Sequence, residues 1–132
     1  MEQRNETNDA YERFWWYYLR EHGRPETRAL HIAGTGLGLV CVAGALRSLA
    51  TRPRDRYVDP STWLIAAAVA GYGPAWIGHF FYEGNRPATF QHPWWSFLSD
   101  LRMSWLWLTG RLETELAKGA VGTSPRGKEA IP

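Results

Sequence analysis

Two stretches of this chain, Ala29 to Leu46 and Trp63 to Tyr82, contain no charged side chain. As helices they would be roughly 27 and 30 Å long, close to the hydrocarbon core of a bilayer at about 30 Å. The charges gather instead in both tails and in the short segment between the two runs, where Arg47, Arg52, Arg54 and Arg56 are interrupted by Pro53 and Pro60. With eight Trp, six Tyr and five Phe in 132 residues as well, the chain is expected to be embedded in a membrane. That length supports one domain, with residues 1–8 a flexible start, 9–117 the helical membrane domain and 118–132 a disordered tail.

Other classes fall away. Cys41 is the only cysteine and lies inside an apolar run, which excludes a disulfide scaffold. A formal charge of +2 with no long basic block argues against a nucleic-acid partner. The first nine residues are polar and acidic, without the apolar centre of a secretory signal.

The fold expected is all-α: a small membrane-embedded helical bundle, with two apolar spanning helices in an antiparallel hairpin and amphipathic or interfacial helices on either side. Asp9 and Glu12 suggest a capping box opening a first helix from Ala10 to His22, which Gly23 would end. Pro25 suits the first position of a second helix reaching Leu46 or Ser48. A third begins near Ser61 or Thr62 and runs to Glu83, with a kink at Gly71, Gly73 and Pro74. Pro93 opens a fourth, whose apolar stripe of Trp94, Phe97, Leu98, Leu101, Trp105, Leu108, Leu112 and Leu116 has helical spacing. Gly34-Thr-Gly-Leu-Gly38 lacks the preceding strand of a nucleotide-binding loop. Gly34 and Gly38 suit close helix packing, within the hairpin or in a homo-oligomer.

Folding the two apolar helices back on each other puts His31, at the start of one, beside His79, at the end of the other. His22 and His92 are expected at the same edge, and none of the four at the Arg-rich edge. His79 and Glu83 share a helical face at i, i+4 and can converge on one ion. An ionisable group inside an apolar segment is costly and points to function. Imidazoles with a carboxylate suit a divalent first-row metal such as iron, whereas one cysteine does not make a thiolate site. Each residue has a plainer role: His22 as a cation at a helix end, His31 and His79 as hydrogen-bonded core groups, Glu83 as a partner of Arg28 or Arg86, His92 as a turn residue.

Three segments then carry a resemblance: Tyr18-Leu-Arg-Glu-His22, Arg28-Ala-Leu-His31-Ile-Ala-Gly34, and Trp76-Ile-Gly-His79-Phe-Phe-Tyr-Glu83-Gly-Asn-Arg86-Pro87-Ala88. Together they resemble the Mpo1-like family, over about Phe14 to Leu112. The resemblance implies a membrane-embedded, iron(II)-dependent dioxygenase of fatty-acid α-oxidation that uses dioxygen to shorten a 2-hydroxy long-chain fatty acid by one carbon. It implies His22, His31 and His79 as iron ligands, with Glu83 a fourth ligand or a group holding an imidazole, and His92 ranked behind them. Glu83 and Arg86 are the expected catalytic side chains, while Arg24, Arg28 and Trp76 are expected to meet the substrate. The acyl tail would lie along the apolar helices among membrane lipid. This chain is shorter than the family's eukaryotic enzymes. Its high Arg to Lys ratio points to a bacterial origin, and the expected location is the bacterial cytoplasmic membrane. The alternatives are a non-enzymatic small membrane protein whose glycine-rich hairpin serves assembly, and a soluble four-helix metal-storage protein.

Overall fold

The computed structural model of the chain describes residues 2–53 and 57–122. Every regular element among them is helical: α1 (Glu2–Glu21), α2 (Pro25–Ala50), α3 (Pro60–Ile77) continued by a π-helical turn (Gly78–Glu83), a 3-10 turn (Ala88–Phe90), α4 (Pro93–Leu108) and α5 (Leu112–Gly122). Proline opens α2, α3 and α4, where its missing N–H leaves no helical hydrogen bond unmade.

Four expected boundaries move. Asp9 and Glu12 do not cap a helix start, because α1 is already helical from Glu2. Arg47 belongs to the last turn of α2, whereas Arg54 and Arg56 fall outside the described residues. The long fourth helix is really two. Gly110 adopts φ 68°, its N–H bonds to the Trp107 carbonyl at 3.0 Å and the Arg111 N–H reaches back to Leu106 at 2.8 Å. That pair of bonds is a Schellman ending, which a residue without Cβ favours. The expected disordered tail begins with helix, since α5 continues to Gly122; residues 123–132 lie outside the described residues.

The chain separates into two compact units, Arg24–Pro87 and Met1–Gly23 with Ala88–Pro132. In the first, glycine lets α2 and α3 approach backbone to backbone. A Cβ on Gly34 would sit 2.9 Å from the Ala70 carbonyl oxygen and 3.0 Å from that of Gly71. Gly38 lies against Ala67, Gly44 against the Trp63 ring, and Gly78 against Thr27. Few large side chains are enclosed by this contact. Leu37, Val40, Leu46, Leu49, Leu64, Ile65 and Val69 are all exposed.

The second unit has the opposite construction. Phe14, Trp15, Tyr18 and Leu19 of α1 are buried, together with Met103 of α4 and Leu112 of α5. The Trp15 indole N–H donates to Glu115 Oε1 at 3.1 Å, Arg102 bridges Glu12 at 2.6 Å and Glu115 at 3.2 Å, and the Arg102 guanidinium lies 4.3 Å from the Trp15 ring centroid. Burial works against charge on both ions, but their partners prevail: Glu12 and Tyr11 raise the Arg102 pKa, and Lys118, Trp15 and Arg102 hold the Glu115 carboxyl below its usual range. On α4 the buried positions include Ser96 and Ser99, while Trp94, Phe97, Trp105 and Leu108 of the apolar stripe are exposed.

Candidate metal centre

His79 comes from the irregular end of α3. Pro74 has no N–H to offer the helical ladder, and the Gly78 N–H bonds to the carbonyls of both Pro74 and Ala75. Beyond it the helix widens to the π form, a departure common at functional sites. Gly84, at φ 69°, ends the turn, and its N–H together with that of Asn85 bonds to the His79 carbonyl, the latter at 3.2 Å. The chain therefore doubles back over His79. Asn85 Oδ1 meets His79 Nδ1 at 2.7 Å. An amide oxygen can only accept, so the imidazole carries a proton on Nδ1, and in the neutral ring the lone pair is then on Nε2.

His31 sits on the buried face of α2, one turn after Thr27 and one before Gly34. The rings of His31 and His79 meet edge-on, with centroids 5.1 Å apart. Thr27 is fully buried, and its hydroxyl has no hydrogen-bond partner. Glu83, at the last π-helical position, accepts the Arg24 N–H at 2.7 Å and so ties down the residue that precedes α2.

His22 follows the last turn of α1. Its ring stacks on that of Tyr18, with centroids 4.0 Å apart, and its Nδ1–H donates to the Tyr18 carbonyl at 2.6 Å. His22 thus has the same tautomer as His79. The Tyr18 hydroxyl donates to Asp100. Burial, with the Asp100 charge beside it, pushes this phenol well above its ordinary range, so it remains a neutral donor.

His31 and His79 of the Arg24–Pro87 unit are buried, 5% and 1% exposed, and His22 of the other unit is buried as well, at 1%. Buried imidazole nitrogens need polar partners, and a metal cation is one that such donors can take. The donor types fit a divalent first-row metal: imidazole nitrogens without a thiolate, two of the rings having Nδ1 engaged and so leaving Nε2 for an ion. Glu83 is engaged by the Arg24 N–H. His92 precedes α4 and packs against Phe14 and Trp95.

A sequence model of the family described as 2-hydroxy-palmitic acid dioxygenase Mpo1-like matches residues 8–112. The chain belongs to the Mpo1-like family. No curated protein and no solved structure matches it. The Mpo1-like match takes in His22, His31, His79, Glu83 and Asn85, and ends where α5 begins.

Of the other side chains expected in a site, Arg28 is half-buried within the first turns of α2, and Arg24 and Arg86 are exposed. Trp76 is partly exposed, with Tyr72 beside it at 6.3 Å between ring centroids. Sequence reasoning passed over Asn85, which carries no role there beyond its place in the third of the resembling segments. An Asn directly after a glycine, six residues beyond a candidate ligand, was the available signal.

Proposed function

We propose that this protein is a membrane-embedded, iron(II)-dependent dioxygenase that shortens 2-hydroxy long-chain fatty acids by one carbon. The observation that carries the reading is the meeting of the buried His31 and His79 rings in a chain of the Mpo1-like family, with the buried His22 as the third proposed ligand. Bound there, iron(II) would supply the redox chemistry by which dioxygen reacts with a 2-hydroxy acid.

The remaining chemistry belongs to the chain. Enclosure of the histidines excludes water from the metal position. Arg24, Arg28 and Arg86 are the cations available to the substrate carboxylate, by charge-assisted hydrogen bonds. Glu83 keeps the Arg24 backbone in place through its N–H, and in this reading it is a positioning group more than a fourth ligand. Trp76, Ile77 and Phe80 give the acyl tail an exposed apolar surface, and each CH₂ it covers contributes about 0.8 kcal/mol, which favours long chains.

The membrane part of the reading rests on how the apolar helices are used. Pro25–Ala50 and Pro60–Glu83 are long and apolar enough to cross a bilayer, yet only 22% and 17% of their most apolar windows are buried. The core helix of a soluble protein would be mostly buried, so an apolar solvent is the consistent surrounding. The two helices then form an antiparallel hairpin through the bilayer. The exposed Trp94, Phe97, Trp105 and Leu108 of α4 face lipid near the headgroups.

The test is anaerobic reconstitution of the detergent-purified protein with iron(II), followed by product analysis with 2-hydroxypalmitate and its longer and shorter homologues. The expected result is an acid one carbon shorter, formed only with iron and dioxygen, and no product from palmitate. An iron-loaded protein that consumes no oxygen with any 2-hydroxy acid would overturn the reading and favour a role in assembly.

A further inference from the structure

We infer that Asn85 is the positioning residue of His79: its side-chain carbonyl fixes the imidazole tautomer and thereby sets how tightly the histidine group holds metal. The second half of this statement rests on the metal-centre reading above; the first does not.

The geometry is specific to this pair. Asn85 grips His79 twice, through Oδ1 on the ring nitrogen at 2.7 Å and through its backbone N–H on the carbonyl at 3.2 Å. Residues six apart meet this way only because the π-helical turn ends at Gly84 in the left-handed conformation, φ 69°. Neutral imidazole has one N–H, and either ring nitrogen can hold it. An acceptor facing Nδ1 selects the form whose lone pair is on Nε2, and it also stops the ring from turning about its bond to Cβ. Partners of this kind commonly set metal affinity by about 10- to 100-fold.

His22 is held in the same tautomer, but by the Tyr18 main-chain carbonyl, which no side-chain substitution removes. Asn85 is therefore the position at which the effect can be switched. Leu has nearly the same shape as Asn and no acceptor. Asp keeps an acceptor at the same atom.

The experiment uses the full chain in detergent micelles, with the histidine rings labelled with ¹⁵N and the protein metal-free. The His79 signals are assigned as those lost in His79→Gln. Wild type and Asn85→Asp should both show His79 protonated at Nδ1, whereas Asn85→Leu should shift toward the Nε2–H form. Cobalt(II) affinity, measured by competition with a chromophoric chelator, should fall about 10- to 100-fold in Asn85→Leu and stay within a few-fold of wild type in Asn85→Asp. Unchanged helical circular dichroism in Asn85→Leu separates this loss from unfolding. Retention of the Nδ1–H form in Asn85→Leu, or failure of Asn85→Asp to restore it, would overturn the inference. If the tautomer shifts as expected but wild type binds no cobalt, the metal-centre reading fails and the affinity claim fails with it.

Discussion

The two units of this chain solve the packing problem in opposite ways. Arg24–Pro87 brings two backbones together at glycines and leaves its large apolar side chains outside. The unit formed from both ends of the chain encloses its aromatic rings and ties them with Trp15–Glu115, Tyr18–Asp100 and Arg102–Glu12 contacts. In water, the first arrangement would forgo most of the hydrophobic gain of its own side chains. In lipid it loses nothing, because close backbone packing is what drives helix association there. The contrast is the one that the proposed membrane embedding requires, one unit suited to lipid and the other to water.

The largest expected effect comes from the histidines. His31→Ala or His79→Ala should abolish iron retention and turnover together, read as iron per chain after gel filtration and as oxygen uptake with 2-hydroxypalmitate, while the helical content is unchanged. Retained iron in both variants would remove the metal centre from the Arg24–Pro87 unit.

Glycine packing is tested next. Gly34→Leu pushes a side chain against backbone carbonyls that cannot move aside, and should destabilise the detergent-solubilised protein by about 1–3 kcal/mol or more. Gly36 has nothing within 4 Å, so Gly36→Leu should be neutral, or stabilising by up to about 1 kcal/mol through helix propensity. Equal thermal shifts for the two variants would refute the close-approach account.

The polar network should show itself through pH. The folded Tyr18 phenol titrates well above its ordinary range, so its contribution is complete below about pH 10 and declines as pH rises further, when the unfolded chain gives up its proton first. Glu115 works in the other direction: its lowered carboxyl contributes stability that is lost as pH falls below about 4.5. Hydrogen exchange followed peptide by peptide should find α1, α4 and α5 loosening at both extremes before α2 and α3 do. Tyr18→Phe should flatten the alkaline limb and cost about 1–2 kcal/mol at neutral pH, by leaving Asp100 without that donor.

The smallest effect is the most discriminating for burial. Thr27→Val removes a buried hydroxyl that has no partner, and should leave stability unchanged or slightly higher. A loss of more than about 1 kcal/mol would mean that the hydroxyl is satisfied in the protein.

Much of the site was legible from sequence because topology alone, two apolar helices and a short connection, brings His31 toward His79. Gly34 and Gly38 likewise announced the packing they provide. What sequence periodicity could not show was hydrogen-bond register. The π-helical turn from Gly78 to Glu83 changes which residues meet, taking the Glu83 carboxylate to the Arg24 N–H and bringing Asn85 onto His79. The break at Gly110 was readable in principle, but the apolar stripe continues through it from Leu108 to Leu112 and masks the stop. The stripe's orientation was not readable at all: spacing marks an apolar face without saying whether protein or lipid covers it.

The central claim is that three imidazoles hold one metal ion. Iron K-edge X-ray absorption on the anaerobically reconstituted protein tests it most directly. The account predicts about one iron per chain with three imidazole scatterers, each single substitution of His22, His31 or His79 removing one of them or losing the metal. An iron surrounded only by oxygen donors, unchanged by any of the three substitutions, would contradict it.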